Sequence, residues 1–107
     1  MITDEQVDEA LDFLRESLEQ VAKAKAQRYF LEEYRKSLKS IIMKEHQDKP
    51  VSAQEREAYA DPRYITHLTG IKQAIKVDEA LRLRRIHSEA VIEAWRTYNA
   101  NIRSMKL

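Results

Sequence analysis

Two prolines, Pro50 and Pro62, and one glycine, Gly70, are the only strong helix breakers in a chain of 107 residues. A sequence so short of breakers folds most simply as helix, interruption, helix. The residues that fill both sides of the interruption, chiefly Ala, Glu, Lys, Arg, Leu and Ile, lose least on entering a helix. The predicted class is all-α, and the length allows one domain over residues 1–107.

Start and stop signals divide the chain further. Thr3-Asp4-Glu5-Gln6 has the pattern of a capping box, in which the threonine oxygen and the Gln6 side chain satisfy amides left without helical partners. The first helix should end before Pro50, because the residue preceding a proline is pushed out of helical geometry. Ser52-Ala53-Gln54-Glu55 offers a second capping box, and Asp61-Pro62 offers an N-cap followed by proline at the first helical position. These signals predict helices over about 4–46, 53–60 and 62–104.

Two helices of some 43 residues would each run about 65 Å, and the connection returns the second beside the first. The predicted architecture is a long antiparallel helical hairpin, coiled-coil-like, with a short helix in the connection. Counting back from the corner sets Trp95 near Phe13 and Leu14, Tyr64 near Met43 and Lys44, and Arg84 near Lys23 to Lys25. Val7, Leu11, Leu14, Leu18 and Val21 suggest a heptad seam. Ala22, Ala26, Phe30, Tyr34, Leu38 and Ile42 then recur in fours, which should rotate the apolar face. On the last helix Tyr64, Leu68, Ile71 and Ile75 begin a stripe. Ala74, Val77, Leu81, Val91, Trp95, Tyr98, Ile102 and Met105 continue it, with Arg84 and Ser88 as polar members. Gly70 would be excused by a close helix approach. Both stripes are wider than one seam uses, so Phe30, Tyr34, Ile86, Ile92 and Trp95 are candidates for an oligomer interface. Two hairpins forming a helical bundle are the simplest arrangement.

Little in the chain points to catalysis. There is no cysteine, which removes thiolate nucleophiles, disulfides and Cys-based zinc sites. The histidines, 46, 67 and 87, lack a histidine four positions away, and none follows an acidic residue by three, the spacing of inward-facing carboxylate–histidine metal motifs. No glycine-rich phosphate loop exists. A non-enzymatic protein without cofactor or metal is expected. No apolar run approaches the roughly 18 residues of a membrane span, and the acidic first residues are unlike a secretory signal. A cytoplasmic protein is expected.

Charge is unevenly distributed. The first twenty residues carry seven acids against Arg15, net −6, and the remainder is +7. Acids early in a helix complement its dipole, although Asp4, Asp8, Asp12, Glu16 and Glu19 could also engage a basic partner. In the expected register Lys23, Lys25 and Arg28 approach Arg82, Arg84 and Arg85. Arg35, Lys36, Lys39 and Lys44 extend the series, and Tyr29 and Tyr34 lie among them. Such a belt could follow a phosphate backbone and stack on bases. Paired with Glu32, Glu33, Asp78 and Glu79, the same cations would be an ordinary solvated surface, which the near-neutral net charge favours. At the corner, Arg56, Tyr59, Arg63 and Tyr64 are either anchors for a partner or a seal on the end of the bundle, with the arginines paired to Glu55 and Glu57.

Three stretches, Arg28-Tyr29-Phe30-Leu31-Glu32-Glu33-Tyr34, residues 54–64 (QEREAYADPRY) and Ile92-Glu93-Ala94-Trp95-Arg96, resemble small proteins encoded by temperate bacteriophages and prophages of proteobacteria. The resemblance implies a cytoplasmic product of the bacterial host cell, made with early genes of DNA recombination or of host-defence evasion. It brings no active-site residues. The expected function is that of a phage accessory protein acting by macromolecular binding, in DNA recombination or replication. The alternatives are a protein-directed inhibitor or adaptor acting on a host enzyme or defence system, and a structural coiled-coil spacer. The expected partners are a second copy, nucleic acid, or a host or phage protein.

Overall fold

The computed structural model describes residues 1–106, which form an all-α antiparallel helical hairpin with a short helix in the connection. Helix α1 (Asp4–Glu16) begins at the expected capping box: the Gln6 amide donates to Thr3 Oγ1 at 3.1 Å and the Thr3 amide donates to Gln6 Oε1 at 2.8 Å. Helix α2 (Leu18–Lys44) follows after one non-helical residue, Ser17. Tight turns at Glu45, His46 and Lys49 end it. Helix α3 (Val51–Ala60) starts two residues earlier than the second capping box predicts, because Pro50 takes the N-cap position with φ −59° and ψ 155°. Ser52 therefore lies inside the helix, and Gln54 donates its side-chain amide to the Lys49 carbonyl instead. Asp61 alone separates α3 from α4 (Pro62–Lys106) and caps it as predicted, its Oδ1 accepting from the Arg63 amide at 2.8 Å.

Two compact units are built from these helices. The first comprises residues 1–22 and, among the described residues, 79–106, that is, α1, the start of α2 and the later part of α4. Its buried positions are Val7, Ala10, Ser17, Leu81 and Ser88, and partly buried Leu14, Val21, Ile92, Trp95, Asn99 and Ile102 extend the line. The second comprises residues 23–78. There Ile42, Ala58 and Tyr64 form a core backed by Leu38 and Met43, and Ala24, Ile71 and Asp78 are also buried.

Along both arms the seam keeps an alternating three-four spacing, the heptad pattern of helices that pack side by side. The expected change to fours after Val21 does not occur, and neighbouring positions are used instead: Ala10 and Ser17 replace Leu11 and Leu18, and Ala24, Arg28 and Leu31 replace Ala26, Phe30 and Tyr34. On α4, His67, Asp78 and Arg85 replace Leu68, Val77 and Arg84. Small side chains let the helices approach, while bulky ones are left in solvent: Leu18 and Phe30 are each 60% exposed. Arg35 holds a seam position by spacing, yet is exposed.

The polar seam members Ser17, Arg28, His67, Asp78 and Arg85 each meet a partner. Arg85 Nη1 donates to the Leu14 carbonyl and to Ser17 Oγ, both at 2.9 Å. This is the point where the helical ladder is interrupted, and a side chain entering the ladder is a recognised cause of such breaks. Arg28 reaches Asp78, and His67 Nε2 donates to the Leu31 carbonyl at 2.6 Å. These anchors, rather than counting from the corner, fix the register. Tyr64 packs beside Met43 as expected. Trp95, however, donates to Asp4 rather than meeting Phe13 and Leu14, and Arg84 lies over the Phe13 ring, 3.9 Å from its centroid, not at Lys23 to Lys25.

Candidate interaction surface

Most of the expected cation belt is engaged within the chain. Arg28 binds Glu32 and Asp78, Lys36 binds Glu33, Lys39 binds Glu55, and Arg82 binds Glu79. Arg84 is spread on Phe13, and Arg85 is committed to the Ser17 break. Lys23, Lys25 and Arg35 have no ion pair among the described residues, and their positions on α2 point to different sides of the helix. No group of three histidine, aspartate or glutamate side chains converges among the described residues. No helix among them is long and apolar enough to cross a membrane.

At the corner the expected display is largely a closure. Tyr64 is 8% exposed in the Ile42–Ala58 core, and Tyr59 meets it edge-on with ring centroids 5.4 Å apart. Lys39 lies 4.7 Å over the Tyr59 ring. Arg63 clamps two carboxylates: Nη1 donates to Glu45 at 3.1 Å and Nε to Asp61 at 3.0 Å. Hydrogen bonds from Arg63 hold both carboxyls below their ordinary pKa values. Glu55 and Glu57, expected to pair with the arginines, pair with Lys39 and Lys49. Only Arg56 is left outward without a partner among the described residues.

The five candidate interface residues separate. Ile92 and Trp95 are used by the seam of their own unit, and Ile86 is exposed there. Phe30 and Tyr34 stand outside the seam of the 23–78 unit, their rings stacked with centroids 5.8 Å apart. Tyr34 leans on His67 at 5.5 Å.

Those two aromatics belong to a surface that stripe-counting missed. In the seven-residue frame of the seam, one flank of this unit carries, between Lys23 and Lys44, Gln27, Phe30, Tyr34, Ser37 and Ile41 from α2, and, beyond Arg63, Thr66, Gly70, Gln73 and Val77 from α4. None of these nine is charged, in a chain that is 35% charged. The opposite flank carries Lys25, Glu32, Lys36, Lys39 and Lys72 interspersed with exposed Tyr29, Ile65 and Leu68. On the uncharged flank a cleft of about 340 Å³ opens beside the aromatics, lined by Ala24, Gln27, Leu31, Gly70, Ala74 and Val77. Gly70 is not a site of close helix approach: a Cβ added there would meet nothing within 4 Å. The glycine contributes to the opening. A heptad frame anchored on Tyr64 and Ile71, both apolar and seven residues apart, would have revealed this flank from the sequence.

The chain matches no family model, and no curated protein and no solved structure is significantly similar to it.

Proposed function

We propose that this is a non-enzymatic binding protein that works by contact, docking a protein partner on the uncharged flank of the 23–78 unit. It fits an accessory protein of the phage-encoded kind that its sequence resembles, active in the cytoplasm of a bacterial host. The observation that carries the reading is the absence of charge at five successive flank positions on α2 and four on α4, which include a 60% exposed phenylalanine and exposed Tyr34, Ile41 and Val77. Depletion of charge and enrichment in aromatics are what distinguish the centre of a protein interface from ordinary surface.

Nucleic acid is the weaker reading. Phosphate recognition needs several cations available together, and within the expected belt Arg28, Lys36, Lys39 and Arg82 pair with carboxylates, Arg85 is held in the seam and Arg84 lies on Phe13.

A photo-reactive phenylalanine analogue placed at Ser37, on the flank, and in a second variant at Lys36, off it, tests the proposal in cells. Protein adducts at position 37 and none at position 36 are expected. Equal labelling at both positions, no protein adduct at 37, or adducts only to nucleic acid would overturn it.

A further inference from the structure

The flank has a property beyond being apolar: it carries both a projection and a recess. Phe30 stands out from α2, and the cleft over Gly70 lies beside it between α2 and α4. The His67–Leu31 hydrogen bond fixes their levels, because Phe30 is one residue before Leu31 and Gly70 three residues after His67. Phe30 and Gly70 are therefore within about one helical turn of the same height.

Building on the flank as the docking surface, we propose that its occupant is a second copy of this chain, the two copies related by a twofold axis parallel to the helices. That operation lays α2 of one protomer against α4 of the other at equal height, so each Phe30 enters the cleft over its partner's Gly70. The contact is isologous: the same patch serves both sides and the assembly closes at two. The result is a four-helix arrangement in which each helix has antiparallel neighbours.

Charge supports this choice of occupant. Pairing the uncharged flank with itself buries no unpaired ion, the costliest error an interface can make. Pairing the other flank with itself would set Lys25, Lys36, Lys39 and Lys72 against their own copies with Glu32 as the only acid among these positions. A flank without charge also lacks the groups by which a foreign partner is usually steered and selected. The patch is about 20 Å long, from Gln27 to Ile41 at 1.5 Å per residue, and about 20 Å wide across two helices. At about 400 Å² per protomer, or about 800 Å² in all, the patch is below the standard size of specific interfaces, so the dimer is a weak, reversible one.

Sedimentation equilibrium of the purified chain across the micromolar range tests the proposal. A monomer–dimer equilibrium is expected, weakened about tenfold or more by Phe30→Ala and by Gly70→Leu, and unchanged by Tyr29→Ala on the other flank. Circular dichroism of each variant confirms that helix content is kept. Because the chain has no cysteine, mixing a Phe30→Cys chain with a Gly70→Cys chain under mild oxidation should give a disulfide-linked dimer joining positions 30 and 70. A monomer at every concentration, a dimer indifferent to both flank variants, or failure of the mixed cross-link would overturn the proposal. A purified monomer that still gives foreign-protein adducts at position 37 would sink the second copy while leaving the flank as the docking surface.

Discussion

Replacing Arg28 by methionine, in a cycle with Asp78→Leu, measures the contribution of the seam's ion pair. The Arg28 guanidinium donates to Asp78 Oδ2 at 3.1 Å and to Glu32 Oε1 at 3.0 Å. Asp78 is 7% exposed, so its carboxylate, once deprived of the guanidinium, has little access to water. Stranding a buried charge costs about 3–5 kcal/mol, whereas breaking an exposed pair costs about 0–1. The guanidinium is partly open to solvent, which places Arg28→Met between these limits, at about 2 kcal/mol. For a domain of this size that is a fall in melting temperature of about 10 °C. Asp78→Leu removes the stranded charge instead and leaves Arg28 with Glu32; it should cost less than half as much. The double variant Arg28→Met/Asp78→Leu should recover most of the loss, with a coupling of about 1–2 kcal/mol. Thermal and urea unfolding at one fixed protein concentration measure all four corners of the cycle, since association would otherwise shift the midpoints. Additive single effects, or an Arg28→Met cost below about 0.5 kcal/mol, would refute the claim that the pair is part of the packed seam.

Gly70→Ala should stabilise the chain by about 1 kcal/mol, because alanine is the better helix former and the added methyl meets nothing; a loss in urea unfolding would mean that the helices approach more closely there. Arg85→Met strips the Leu14 carbonyl and the Ser17 hydroxyl of their donor and should cost about 1–3 kcal/mol, read in the same assay. The Arg63 clamp makes the corner acid-sensitive. Because Glu45 and Asp61 titrate below their ordinary values of 4.5 and 3.8, their contribution is complete above those values and fades as pH falls through the lowered ones. In Arg63→Gln the stability–pH profile should lose that part of its acid slope, and an unchanged profile would show that the clamp contributes nothing.

Much of the hairpin is legible in the sequence because breakers and caps act locally. Thr3 with Gln6, and Asp61 with Pro62, determine helix starts through atoms within one turn of themselves, and both are where their patterns imply. The seam is harder to read, because hydrophobicity favours Leu11, Leu18 and Leu68 over Ala10, Ser17 and His67. What reverses the choice is tertiary: small residues allow close approach, and Arg28, His67 and Arg85 find acceptors on the facing helix. Those acceptors are 36 to 71 residues away in sequence, beyond any periodicity. Phe30 and Tyr34 were legible as interface candidates in excess of one seam, while the uncharged positions around them depended on the displaced frame. The basic residues could be read two ways from the sequence, and the pairing of Arg28, Lys36 and Arg82 with Glu32, Asp78, Glu33 and Glu79 follows the one that treats them as ordinary charges.

The interruption at Ser17 has a consequence for how the molecule comes apart. It leaves α1 as a 13-residue segment, near the lower limit at which an isolated helix persists in water, so α1 keeps its form by lying on α4 through Arg85 and Trp95. Amide protons of α1 should accordingly trade with deuterium as a block and sooner than those around Ile42. Such an order of exchange would mark the amino-terminal arm as a detachable latch; uniform exchange along both helices would show that the bonds kept on either side of Ser17 carry one rod through it.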